Sequence, residues 1–270
     1  MSTPNFRFKQ FTVWHDRCAM KVGTDAVLLG AWTPLPENLY SVSEAVCTLS
    51  AQRSNILDIG TGSGVIALML AQRCPNALID AIDIDPDAIS QAAENFAASP
   101  WSNRLHAHCT SLQSFQTSTK KCPYGFSRSF EALPRLELST INYQLIVSNP
   151  PYFVNALKNP DKQRQTARHT DSLSYAELLQ GVSRLLADDG IFAVILPAEG
   201  EDTFLALAQE TGLYPLQKTY VHPTPSKQPK RILMALQKSV TDCSVTHFTI
   251  ASADSPRSEE YQRLTQDFYL

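Results

Sequence analysis

From Asn55 onward the chain alternates short, continuously apolar runs with stretches whose apolar residues recur at helical spacing, the pattern of a parallel α/β sheet. The first run, Asn55–Ile59, predicts a strand, and a Gly turn then leads into a helix carrying Ile66, Leu68, Met69, Leu70 and Ala71. A second strand is expected over Leu78–Ile84, followed by a helix opened by Pro86, whose fixed φ suits a first-turn position. Arg104–Cys109 and Tyr143–Ser148 read as the third and fourth strands. A helix from Leu173 to Leu186 should stop at Asp189-Gly190, before a buried strand at Ile191–Leu196. A helix over Ala198–Thr211 is closed by Gly212, and the β-like runs Leu213–Val221 and Arg231–Gln237 flank a proline-rich loop. A last strand near His247–Ile250 and a short terminal helix complete the pattern, and no internal repeat interrupts it.

One segment, Gln116–Thr140, breaks the rhythm. It is rich in Ser, Thr, Lys and Pro and separates the third and fourth strands by far more than the roughly 2–6 residues usual in α/β units. It reads as a surface insertion, either a plain loop expansion or a lid.

Composition narrows the class. The chain has 270 residues, 43% hydrophobic and 18% charged, enough apolar material for a sizeable core. A net charge of −3 argues against a protein that coats nucleic acid by charge alone, yet allows a local basic patch. The N-terminus lacks an apolar run behind a basic one, and the longest apolar stretch, Ala26–Trp32, is far short of the ~20 residues of a membrane helix. Six cysteines (18, 47, 74, 109, 122 and 243) show no C-x-x-C spacing and no histidine pair to complete a zinc site. The expectation is a cytoplasmic protein with reduced thiols, no metal and no membrane contact.

Three stretches carry chemistry. Asp58-Ile59-Gly60-Thr61-Gly62-Ser63-Gly64 sits at a strand-to-helix junction, where glycines let the backbone approach a ligand and a helix N-terminus offers free N–H groups. The spacing is G-x-G-x-G, and a dinucleotide fingerprint would need glycine where Val65 stands. Asp58 would be unwelcome beside a diphosphate but suits a cationic sulfonium or ammonium. About twenty residues on, Asp83 ends the second strand beside Ile84, where a carboxylate can accept both ribose hydroxyls; a plain loop acid is the competing reading. Asp85 is placed to cap the next helix. The sharpest stretch is Ser148-Asn149-Pro150-Pro151-Tyr152, directly behind an apolar strand. Two prolines cannot extend a central strand, so the chain leaves the sheet with stiff geometry. That geometry offers the Asn149 amide oxygen and the Pro150 carbonyl as acceptors for one NH₂ group, with the Tyr152 ring free to stack on the planar system bearing it.

With these motifs in order, the chain resembles the class I methyltransferases that carry an NPPY motif, over about residues 55–197. The resemblance implies a Rossmann-like α/β fold: a seven-stranded, mostly parallel sheet with helices on both faces and an antiparallel terminal hairpin. It also implies S-adenosylmethionine over the first two strand tips, with Gly60, Gly62 and Gly64 near its methionine part and Asp83 at its ribose. Asn149, Pro150, Pro151 and Tyr152 would face the target nitrogen. Many relatives place an acid after the third strand to hold the cofactor's adenine amino group; here Ser111, a weaker acceptor, stands at that position.

The N-terminal residues narrow the resemblance. Phe8-Lys9-Gln10-Phe11, His15-Asp16 and Cys18-Ala19-Met20-Lys21-Val22-Gly23-Thr24-Asp25 look like the bacterial methyltransferases of valine tRNA, which modify N6 of the adenosine 3′ of the anticodon. With Ser99-Pro100-Trp101, Ala167-Arg168-His169 and the terminal Leu264-Thr265-Gln266 and Phe268-Tyr269-Leu270, the likeness spans nearly the whole chain outside 116–140. It implies one methyltransferase domain over 1–270, with residues 1–50 covering the cofactor and Lys21, Gly23, Thr24 and Asp25 as contacts to it. An anticodon loop can splay its adenine into a cleft, so only local phosphate contacts are needed. Lys158, Lys162, Arg164, Arg168 and His169 form one candidate cluster, and Lys227, Lys230 and Arg231 another; charge runs are more often solvated faces. No obligatory protein partner is expected. Three other readings stay open: a glutamine methyltransferase of a release factor, disfavoured by the short segment before the first strand; a noncatalytic RNA-binding protein; and a nicotinamide oxidoreductase, disfavoured by Val65.

Overall fold

The computed structural model describes residues 4–36, 39, 55–115, 142–151 and 173–270. The 116–140 insertion, Tyr152 and the Lys158–His169 cluster lie outside the described residues.

The chain opens with a hairpin, β1 (Asn5–Arg7) and β2 (Thr12–Trp14), then helix α1 (Thr24–Trp32). The α/β unit runs β3 (Asn55–Ile59), α2 (Val65–Arg73), β4 (Leu78–Asp83), α3 (Pro86–Ala97), β5 (Leu105–Cys109), β6 (Tyr143–Ser148), α4 (Tyr175–Leu185), β7 (Leu186–Pro197) and α5 (Glu201–Glu210). It finishes with β8 (Tyr214–His222), β9 (Arg231–Gln237), β10 (Ser244–Thr249) and α6 (Glu259–Thr265). The sheet order is β10-β8-β9-β7-β6-β3-β4-β5, and only β9 runs against its neighbours. This is the expected mostly parallel sheet with its antiparallel terminal hairpin. The strand anticipated near His247–Ile250 is β10, which pairs in parallel with β8 and adds an eighth strand to the seven that the resemblance implied.

Alternation along each strand feeds two cores. Leu145 and Val147 of β6 join α1, α2, α3 and the terminal segments on one face, while Ile146 joins α4 and α5 on the other. Strands covered on both faces read as unbroken apolar runs, which is why β3 and β6 have the expected bounds. Asp85 accepts the Asp87 amide at 2.9 Å and caps α3 as anticipated.

The helix before β7 ends earlier than its Asp189-Gly190 signal. Leu186 already pairs with Tyr143, and the next partners are Ile191 and Leu145, so residues between them bulge out of the ladder. Gly190 sits in that bulge: an added Cβ would lie 2.9 Å from the Tyr143 carbonyl oxygen. The glycine permits a close strand approach and does not stop a helix.

The hairpin is tied to α3 by one side chain. The Asn95 amide accepts from the Trp14 N–H at 2.9 Å and donates to the Trp14 carbonyl and to Ser63 of the glycine turn, both at 2.8 Å. Arg17 adds an ion pair with Glu94. These contacts deliver residues 18–20 to the carboxyl ends of the parallel strands. Ligands of open α/β sheets bind at that edge.

Candidate active site

The turn after β3 is built for close approach. Gly60, Gly62 and Gly64 have φ of 70°, 54° and 81°, the left-handed region that costs other residues about 1–2 kcal/mol. Cβ atoms added at Gly60 and Gly62 would meet nothing within 4 Å, whereas one at Gly64 would lie 2.5 Å from the Phe96 ring. The first two therefore border open space, and the third lets α2 pack on α3. Asp83, at the tip of β4, accepts the Gly62 amide on Oδ2 at 2.9 Å and the Asp85 amide on Oδ1 at 3.0 Å. The carboxylate thus locks the turn to the neighbouring strand.

On the other side of β3, Ser148 is buried and donates to the Ile59 carbonyl at 3.0 Å. This bond fixes the end of β6 against the glycine turn immediately before Asn149-Pro150-Pro151. A cleft of about 500 Å³ opens between these elements, within the range of small-ligand pockets. Its walls include Gly60, Gly62, Asp83, Ile84, Ser111, Asn149, Pro150 and Pro151, so glycine turn, acidic strand tip and proline exit share one cavity.

Other expected residues sit elsewhere. Asp58 is fully buried behind the turn, where its Oδ2 accepts from the Thr61 hydroxyl at 2.6 Å and the Ala67 amide at 3.2 Å. Burial outweighs these two bonds and, with the nearby Asp83 charge, pushes its carboxyl up to about 7. Gly23 and Thr24 line a second pocket, and Asp25 pairs with Arg231 at 2.9 Å. Lys21 is exposed and does not line the cleft, and Lys230 is exposed in the loop before β9.

Several cleft residues are ones that the sequence did not single out as contacts, although the first three fall in the segment expected to cover the cofactor. Cys18, Ala19 and Met20 cover the cleft from the N-terminal segment, and Leu112, Gln113 and Glu177 line it from the β5 exit and the start of α4. Ser111 is committed to its own turn, since its Oγ accepts the Ser114 amide at 3.2 Å. Glu177 caps α4 through Ser174, whose hydrogen bonds hold its carboxyl below the ordinary range. The capping box Ser174-x-x-Glu177 was a readable signal for that helix start.

The cleft fits S-adenosylmethionine on its own evidence: open glycine backbone, a carboxylate at the next strand tip and apolar walls from Ile84, Ala88 and Leu112. Among the described residues, no group of His, Cys, Asp and Glu side chains is arranged to hold a metal, and no helix is long and apolar enough to cross a membrane.

A proline exit beside a G-x-G-x-G turn, on a parallel sheet whose one antiparallel strand is the late β9, is the arrangement of a class I S-adenosylmethionine-dependent methyltransferase. Residues 56–143 match the methyltransferase domain family. A crystal structure of a predicted O-methyltransferase from Agrobacterium tumefaciens shares the fold, with a TM-score of 0.59 at 16% identity over 90% of this chain and 96% of that one. Full-length relatives are more specific. The tRNA1(Val) (adenine(37)-N6)-methyltransferase of Bacteroides fragilis YCH46 is 45% identical over all of this chain and 99% of its own length. That of Enterobacter sp. 638 is 38% identical over 98% of this chain and 94% of its own. The chain belongs to the tRNA1(Val) (adenine(37)-N6)-methyltransferase family.

Proposed function

We infer that this protein transfers the methyl group of S-adenosylmethionine to N6 of adenosine 37, beside the anticodon of tRNA1(Val). The observation that carries the reading is the opening of the Asn149-Pro150-Pro151 exit into the same cleft as Gly60, Gly62 and Asp83. The cofactor supplies an electrophilic methyl group on a sulfonium. The protein's own residues supply position: Asn149 and the Pro150 carbonyl accept the two N–H bonds of the adenine amine and favour the positive charge that develops on it. Tyr152 stacks on the base, and Pro150 and Pro151 hold both acceptors rigid. Gly60 and Gly62 border the methionine part, Asp83 accepts the ribose hydroxyls and Ile84 packs on the adenine. Gly64 and Asp58 keep the turn in shape from behind.

The same reading takes residues 1–270 as one methyltransferase domain, supported by Phe8, Val13, Tyr261 and Phe268 packing into one core with α1 and α2. Lys21, Gly23, Thr24 and Asp25 belong to the segment that covers the cofactor. The substrate is an anticodon loop, gripped at its phosphates by Arg164, Arg168 and His169 and by Lys230 and Arg231. A tRNA substrate places the enzyme in the bacterial cytoplasm. The test is incubation with labelled S-adenosylmethionine and tRNA from cells lacking the modification, followed by nucleoside analysis. N6-methyladenosine at position 37 is expected; label appearing instead on a release-factor glutamine, or on no acceptor, overturns the reading.

A further inference from the structure

We propose that a second pocket, on the same edge of the sheet as the cleft, takes another nucleotide of the substrate RNA; this rests on the function inferred above. The pocket measures about 280 Å³ and is lined by Phe6, Gly23, Thr24, Arg257, Tyr261 and Tyr269, among others. Two stretches that the cleft leaves unused meet there: Gly23-Thr24 at the start of α1, and the chain's aromatic C-terminal end.

Its chemistry is that of a nucleotide site. The Arg257 guanidinium lies over the Tyr269 ring, 4.4 Å from its centroid. That ring is itself held: its hydroxyl is 3.0 Å from the Tyr261 hydroxyl, and it stacks on Phe8 at 6.1 Å with 7° between planes. Arg257 is exposed, and among the described residues no carboxylate pairs with it. A planar cation oriented by a fixed ring keeps its N–H fork available for a phosphate. Phe6, half-buried at the pocket wall, and the Arg257 guanidinium plane offer flat surfaces on which an unpaired base can stack. The volume falls just below the roughly 300 Å³ at which pockets for whole drug-sized ligands begin, which suits one nucleotide unit and not a second cofactor. Core packing accounts for the buried Tyr261, but not for an open cavity edged by an arginine that pairs with no carboxylate among the described residues.

Position points to RNA. Val22 lines this pocket, and Met20, two residues before it, lines the main cleft. Ile250 follows the end of β10, and the order β6-β7-β9-β8-β10 sets four strand spacings, roughly 19 Å, between that end and Asn149. An adenosine in the cleft and a nucleotide in the pocket can belong to one folded arm. Arg231 lies between them, opposite Pro197 at the tip of β7.

The experiment is binding of an RNA hairpin carrying the tRNA1(Val) anticodon arm to wild type, Arg257→Ala and Arg257→Lys across a range of salt. The alanine variant should bind about tenfold more weakly, with a log–log salt slope shallower by about one. The lysine variant should recover the slope but only part of the affinity, since it keeps the charge without the fork. Calorimetry with S-adenosylhomocysteine should give wild-type affinity for both. Hairpin binding by Arg257→Ala with wild-type affinity and slope overturns the proposal, as does a loss confined to S-adenosylhomocysteine, which would assign the pocket to the cofactor. Adenosine monophosphate that binds wild type but not Arg257→Ala, with hairpin binding unchanged, would make it a site for a free nucleotide and overturn it too. A wild type that binds the hairpin and never methylates it would instead refute the inferred function.

Discussion

Asp58 is a buried acid whose ionisation state can be read from folding stability. Among the described residues, its Oδ2 takes both hydrogen bonds, and its Oδ1 is buried with no partner. Burial, the largest effect, moves the carboxyl from an ordinary 3.8 to about 7. The native state then holds this proton more tightly than the unfolded chain. The associated stability is complete below about pH 4 and is lost as pH rises through 7. Between pH 5 and 8 the unfolded carboxyl is ionised throughout while the native one gives up its proton. At 1.36 kcal/mol per pKa unit, the loss over that interval is about 3 kcal/mol.

Asp58→Asn isolates the effect. The amide keeps one oxygen for the Thr61 and Ala67 donors and cannot ionise, and its NH₂ group, where Oδ1 stood, adds a pH-independent cost of about 1–3 kcal/mol. Urea unfolding of both proteins from pH 5 to 8, without cofactor, gives the difference in stability, in which other titrating groups cancel. The stability of Asp58→Asn relative to wild type should rise by about 3 kcal/mol across that range. A flat difference would mean that Asp58 does not change its charge there. A depressed carboxyl would give the same flat line, since both states are then ionised above pH 5, and a flat line refutes the reasoning.

Three further outcomes follow from the site. Asn149→Ala should reduce methyl transfer by at least about a hundredfold, while calorimetry shows S-adenosylhomocysteine bound within a few-fold of wild type; full turnover would remove Asn149 from the target site. Because Ser111 closes its own turn while the Gln113 side chain lines the cleft beside it, Gln113 should be the better acceptor for the cofactor's adenine amino group. Gln113→Ala should therefore lose most of the preference for S-adenosyl- over S-inosylhomocysteine, about tenfold, and Ser111→Ala should keep it; the reverse result would return the contact to Ser111. Gly64→Ala combines a left-handed φ with a contact 2.5 Å from the Phe96 ring and should cost about 2–4 kcal/mol in urea unfolding, whereas a loss under 1 kcal/mol would show that α3 moves aside freely.

What was legible in the sequence divides along physical lines. Asp83 and Asn149 reach the cleft by virtue of ending a strand, and strand ends are marked by apolar runs that stop at a glycine or proline, so motif and position are read together. Asp189-Gly190 misled because helix stops and bulges use the same residues; only the pairing of Leu186 with Tyr143 decides between them, and that pairing is non-local. The strand near His247–Ile250 was legible, but its place as an eighth strand beside β8 was not, for Ser244–Thr249 is largely exposed and carries little apolar alternation to announce that pairing. Within the cleft, Met20 arrives because Asn95, 75 positions away, holds the hairpin to the glycine turn. Glu177 arrives because its helix start folds over the β5 exit, although its Ser174-x-x-Glu177 box could have been read as a cap. The glycine turn and the proline exit are backbone devices whose residue types nothing else can replace. The cover and the far wall are made of ordinary side chains whose roles come from where the chain returns, and that is where a single sequence stops speaking.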